Sequence, residues 1–183
     1  MSILTAIFSA AGLIAVGLLL SVTGCASPRI NAYRDNTPKV DIRDYFNGKL
    51  TAYGTVQDIT GKVVSRFTAD INGSWDGDVG TLDENFIFED GTEERRVWTL
   101  TLNPEDGTFI GTAHDVVGNA DGQQMGNAIF MKYTLRRELN GSTYNFTMDD
   151  RLYLINETLM MNQTKMKKFG ITVAELNIAF YKE

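Results

Sequence analysis

From Lys49 onward, side-chain character alternates with a period of two rather than the 3.6 of a helix. The clearest stretch sets Val63, Ser65, Phe67, Ala69, Ile71, Gly73 and Trp75 on one face, with Val64, Arg66, Thr68, Asp70, Asn72 and Ser74 on the other. Turn signals recur at Thr60-Gly61, Gly77–Gly80, Asp90-Gly91, Pro104–Gly107, Asp121-Gly122, Asn140-Gly141 and Asn156-Glu157. Nine strands are predicted, at about 49–59, 62–75, 81–89, 92–102, 108–119, 123–138, 142–155, 158–166 and 171–182. No proline interrupts them, and only Asp41–Asn47 reads as helical.

Sequential hairpins with one apolar face predict an all-β fold. An antiparallel up-and-down meander would close into a lipocalin-like β-barrel of about eight to ten strands, because closure removes exposed edges. A β-sandwich is the alternative. The polar face, with Arg66, Asp70, Asn72, Asn145 and Asp149, must point outward. A membrane-spanning barrel has the reverse arrangement, so a water-facing barrel is expected.

Register tests which side chains meet, since a slip of one residue inverts a strand. A Thr60-Gly61 loop puts Gly54 opposite Phe67, and a four-residue loop at 77–80 puts Trp75 beside Leu82 and Gly73 beside Glu84. A loop at Glu89–Gly91 sets Leu82 by Trp98 and Glu84 by Arg96; the loop 104–107 then sets Arg96 by Asp115. A loop at Ala120–Gly122 brings Asp115 opposite Asn127, and Asn140-Gly141 places Leu135 by Phe146, Tyr133 by Met148 and Met131 by Asp150. The result is an inward polar row of Glu84, Arg96, Asp115 and Asn127, with Trp98 one step along and Tyr133 and Asp150 nearby.

Two carboxylates around one guanidinium suit Arg's planar fork. Three roles are open for the row. It can be a buried ion-pair network that sets register. It can be a polar anchor at the base of an apolar cavity, where Arg96 meets the carboxylate or phosphate of a fatty-acid-like ligand. Acid–base catalysis by Glu84 or Asp115 is the third, although a nearby Arg lowers a carboxyl pKa, which is wrong for a general acid.

Other chemistry is sparse. His114, the sole histidine, alternates outward, and no cysteine or histidine partners exist for a zinc site. Asp76–Gly80 resembles a calcium loop, but Ile87 stands where the closing Glu belongs, so a tight turn is expected. Gly118–Gly126 lacks the Lys-Ser/Thr of a phosphate loop. No cofactor or metal is expected.

The N-terminus changes the picture more. Ile3–Leu20 is almost uninterruptedly apolar and leads into Val22-Thr23-Gly24-Cys25, the pattern of a lipoprotein cleavage site. Residues 1–24 are therefore expected to be a signal peptide, with Cys25, the single cysteine, receiving diacylglycerol. The n-region carries no Lys or Arg, so an uncleaved transmembrane helix is the alternative. Ala26 at the next position implies the outer membrane by the sorting rule of enteric bacteria, with the domain facing the periplasm. Residues 25–39, with Pro28 and Pro38, read as a flexible tether, leaving 40–183 as one barrel domain. A net charge of −6 argues against nucleic-acid binding.

From Val40 onward the chain resembles a family of proteobacterial lipoproteins known as domain of unknown function 3833. The resemblance rests on Asp44–Gly48, Gly73-Ser-Trp75 with Gly80-Thr-Leu82, Arg96-Val-Trp98, Gly111–Gly118, Gly126-Asn-Ala128, Asp149-Asp150 and Lys168-Phe-Gly170. Arg151-Leu152 departs from the Trp-Met expected after the paired aspartates. The resemblance implies a lipoprotein with one compact domain and no particular activity. The function expected is binding of a lipid or other small hydrophobic ligand, without catalysis. The alternative is an envelope structural or interaction lipoprotein whose lumen is filled by Phe67, Phe86, Phe88, Trp75, Trp98, Tyr133 and Phe146.

Overall fold

The computed structural model describes residues 28–139 and 141–183. The signal peptide expected at 1–24 and Cys25 lie outside the described residues. Ten antiparallel strands form one closed barrel: β1 (Gly48–Asp58), β2 (Val63–Asp76), β3 (Val79–Phe88), β4 (Glu93–Leu102), β5 (Thr108–Thr112), β6 (Ala120–Met125), β7 (Ala128–Leu139), β8 (Ser142–Leu154), β9 (Leu159–Lys168) and β10 (Ile171–Lys182). Each strand pairs with its neighbour in sequence, and β10 pairs with β1 to close the ring. The period-two pattern is realised directly: in β2, Phe67, Ala69, Ile71 and Gly73 are buried while Arg66, Thr68, Asp70 and Asn72 are exposed. The barrel expectation holds, and the sandwich does not form.

Several inward aromatic rings lie flat over a cross-strand glycine. Gly54 faces Phe67, Gly80 faces Trp75 and Gly122 faces Phe109. A Cβ on these glycines would come within 2.1, 2.5 and 2.1 Å of the respective ring. The glycine thus makes room for the aromatic, which covers the bare backbone and pins the register.

Three expectations are corrected by this use of glycine. The 77–80 loop is a two-residue Gly77-Asp78 turn closed by Asp76 and Val79, because Gly80 belongs to β3 beneath Trp75. Glu84 therefore faces Ile71, not Gly73, a shift of two that preserves the inward face. Gly122 likewise lies inside β6 beneath Phe109, not in a turn. The segment expected as one strand over 123–138 turns at Gly126-Asn127, where Gly126 has φ +58°, and this makes the tenth strand.

One end of the barrel is plugged by α1 (Ile42–Tyr45), the stretch expected to be helical. Asp41 caps it by accepting from the Arg43 N–H at 2.9 Å, and Ile42, Tyr45 and Phe46 are buried. The Tyr45 hydroxyl donates to the Phe180 carbonyl at 2.9 Å, and the Trp75 indole N–H donates to the Phe46 carbonyl at 3.1 Å. Gly73 lies under the plug, where a Cβ would be 1.9 Å from the Phe46 carbonyl oxygen.

The described part of the segment expected as a tether, residues 28–39, makes contacts with the barrel. Tyr33 packs against Phe130 and Tyr153 with ring centroids 5.5 and 5.4 Å away. The Val40 N–H donates to the Gly126 carbonyl at 2.8 Å, and Arg151 lies over Phe130 while donating to the Pro28 carbonyl at 3.3 Å. Aromatic stacking outweighs the local Pro and polar content that suggested disorder.

Candidate functional site

The inward side chains do not fill the barrel. A cavity of about 380 Å³ runs from the plug, where Ile42 and Phe46 form its floor, to Phe88, Phe146 and Met166 near the hairpin turns of the opposite end. Its wall is predominantly aliphatic and aromatic, from Ala52, Phe67, Leu82, Phe86, Leu100, Ile129, Leu135, Met148 and Ile178 among others. The volume lies within the range of about 300–1,000 Å³ usual for small-molecule sites. The solidly packed lumen considered from the sequence is not observed.

Of the predicted residues, Glu84, Arg96, Trp98, Tyr133 and Asp150 line this wall, while Asp115 and Asn127 do not. Glu84 on β3 pairs across the ladder with Arg96 on β4, two residues from Leu82 and Trp98. Tyr133 on β7 meets Met148, and Met131 meets Asp150 on β8, as the Asn140-Gly141 hairpin predicts. Glu84, Trp98, Tyr133 and Asp150 are all buried. His114 is exposed, as alternation predicts, and the tight turn expected within Asp76–Gly80 is confined to Gly77-Asp78.

Arg96 is already committed. Its Nη2 and Nε donate to Asp115 Oδ2 at 2.7 and 3.0 Å. Its guanidinium lies near the Phe86 and Trp98 rings, 5.7 and 5.8 Å from their centroids. Among the described residues Glu84 makes no ion pair, so the expected fork around two carboxylates reduces to one partner. Asp115 reaches Arg96 from the loop after β5, not from a strand, and its backbone carbonyl accepts from the Arg136 N–H at 2.7 Å.

Asn127 is corrected: it is not in the row. It occupies the β6–β7 turn near the plugged end, where its amide accepts from Asn36 at 3.2 Å and donates to the Leu154 carbonyl at 3.3 Å. The predicted placement needed a hairpin at Ala120–Gly122, and β6 occupies that stretch.

Two polar cavity residues escaped the sequence reading. Asn162 and Thr164 on β9 are buried, and the Asn162 amide donates to the Thr164 hydroxyl at 3.1 Å. Thr164 pairs with Asp150. The signal was available: in the inward series Met160, Asn162, Thr164, Met166, two polar residues interrupt an apolar face.

Burial raises Glu84 to about 7, with the Arg96 charge opposing it. Burial likewise raises Asp150 to about 6, against the Thr164 hydroxyl and Arg96. Tyr133 is pushed well above its ordinary value by burial and by the Asp150 charge, so it stays a neutral phenol. Arg96 is held protonated, since the surrounding Tyr133, Glu84 and Asp115 outweigh its desolvation. Among the described residues, Asp150 Oδ1 and Asn162 Oδ1 are buried without a hydrogen-bond partner. Each such orphaned acceptor costs on the order of 1–3 kcal/mol.

The chain belongs to the family described as protein of unknown function (DUF3833), whose model matches residues 19–182. No curated protein matches it. Among solved structures it is similar to the S-type phycobiliprotein lyase CPES from Guillardia theta, at a TM-score of 0.51 and 10% identity, covering 86% of this chain and 99% of that one. The shared architecture is a lipocalin-like barrel.

Glu84 binds its proton more tightly in the folded chain (about 7) than at its ordinary value of 4.5. Between those values the folded state carries the extra proton, so this group's contribution to stability declines as pH rises through the window. Glu84→Gln removes the titration. The variant should gain on the parent by up to about 3 kcal/mol between about pH 4.5 and pH 7.5, measured by urea denaturation. A difference that stays constant with pH would contradict the assignment.

Proposed function

We propose that this protein is an envelope lipoprotein, anchored through acyl chains on Cys25 at the periplasmic face of the outer membrane, whose barrel binds one small hydrophobic ligand without chemical turnover. The observation that carries the reading is the cavity: about 380 Å³ of mainly apolar space, plugged at one end by Ile42 and Phe46. Burying an apolar chain there is favourable at about 25 cal/mol per Å² removed from water. The polar cluster beside Glu84 and Asp150 supplies the few oriented groups that such sites use for specificity. The likeness to a lipocalin-like barrel is compatible with this use, and the lipidation motif ending in Gly24-Cys25 supports the anchor.

Titration of residues 28–183 with the apolar fluorophore N-phenyl-1-naphthylamine should give saturable binding of one probe per barrel. Met131 lines the cavity, and Met131→Trp should fill it and weaken binding about tenfold or more, with the melting temperature changed by only a few degrees. Equal binding by parent and variant would place the probe elsewhere and sink the reading. The anchor has its own test. In a bacterial host the full-length chain should incorporate radiolabelled palmitate and sediment with membranes, and Cys25→Ser should abolish the label; label retained on the variant would refute lipidation there.

A further inference from the structure

The cavity's polar cluster is lopsided. The ionisable side chains of its wall are Glu84, Glu94 and Asp150 against Arg96 and Arg137. Both cations have partners: Arg96 holds Asp115 through two nitrogens, and Arg137 holds Glu94 through Nη1 and Nη2 at 2.6 and 2.7 Å. Among the described residues, Glu84 and Asp150 are left without a cation of their own. On β8 and β9, Asp150 Oδ1 and Asn162 Oδ1 are both buried and unpartnered, and both residues line the cavity. Asp150 is 7% exposed and Asn162 6%. One Asn162 amide N–H donates to Thr164, and Oδ1 is the atom of this side chain left without a partner among the described residues.

An anionic head would find this cavity hostile. The Arg96 charge is already balanced by Asp115, and a carboxylate or phosphate would sit beside two acidic side chains in a low dielectric. A donor satisfies both orphaned oxygens and, if charged, balances the unpaired acids. We propose that the ligand is a single-chain amphiphile with a hydrogen-bond-donating, preferably ammonium, head, received by Asp150 and Asn162 with Glu84 facing it, while its chain lies along the apolar wall. This rests on the ligand-binding reading and reverses the fatty-acid-like head expected from the sequence. The burial that lifts Glu84 to about 7 and Asp150 to about 6 agrees with acids that lack a full counter-charge.

Trp98 is buried and lines the cavity, so its fluorescence reports on the lumen. The test uses the full-length protein held in amphipol at about pH 8, above both carboxyl values. It is titrated with three chain-matched quenchers, ω-bromododecylamine, ω-bromododecanol and ω-bromododecanoate. The expected order is amine tightest, alcohol intermediate and carboxylate weakest, with about tenfold or more between amine and carboxylate. In Asp150→Asn the amine-to-carboxylate ratio should fall to about threefold or less while the alcohol is little changed. The parent comparison stands alone if that variant does not fold. Quenching by all three with the carboxylate equal or tighter overturns the head-group assignment and leaves the ligand-binding reading in place. No quenching by any of them overturns both.

Discussion

The ion pair between Arg96 and Asp115 is the interaction on which the wall between β4 and β7 and the chemistry of the lumen both depend. Strands β5 and β6 have 5 and 6 residues, where the other strands have 10 to 14. They run beside only one end of β4 and β7, leaving a gap in the wall toward the other. The loop from Ala113 to Asn119 covers it. Arg96 holds this loop to β4 through Asp115, while the Val117 N–H on the Thr134 carbonyl and the Val116–Leu135 bridge hold it to β7. Beyond the loop, Glu94 and Arg137 join β4 and β7 directly. Breaking one side of a buried pair such as Arg96–Asp115 leaves an uncompensated charge, at a cost of about 3–5 kcal/mol. The same pair balances the guanidinium charge, so Glu84 and Asp150 are the uncompensated charges of the lumen among the described residues.

A small barrel usually fills itself with side chains. Here three rings, Phe67, Trp75 and Phe109, are laid against Gly54, Gly80 and Gly122, which moves their volume toward the wall. The plug seals one end by hydrogen bonds and aromatic packing, with Phe46 edge-on to Tyr45 at 5.1 Å and to Phe180 at 5.8 Å. The cavity is lined by residues of the strands and of the plug. Orphaned acceptors and part-neutralised acids inside such a cavity reduce stability, and such departures from good packing are expected where function, not folding, sets the sequence.

Much of the fold was legible because strand alternation is a local signal. The inward face, the Glu84–Arg96 and Leu82–Trp98 pairs and the Tyr133–Met148 pair all follow from alternation plus short turns. The errors share a cause. A glycine reads as a turn, yet Gly80 and Gly122 lie within strands because an aromatic on the neighbouring strand needs the space, and that neighbour is not visible locally. Asn127 was misplaced by the resulting register, whereas Asp115 arrived at Arg96 because the β4–β5 register continues past the end of the strand. Asn162 and Thr164 become legible only with β9 in register on β8, where Thr164 pairs with Asp150. The seating of Tyr33 on Phe130 and Tyr153, about 100 or more residues away, leaves no local mark at all.

The central claim is that the lumen is a ligand site and not a packing defect. Native mass spectrometry of the barrel from Asn31 onward, purified without detergent from a bacterial host, tests it most directly. The account predicts a barrel carrying one extra mass of about 250–800 Da, the size of a single small amphiphile in a cavity of this class. A barrel that stays at its apo mass, even after incubation with an envelope lipid extract, would contradict it.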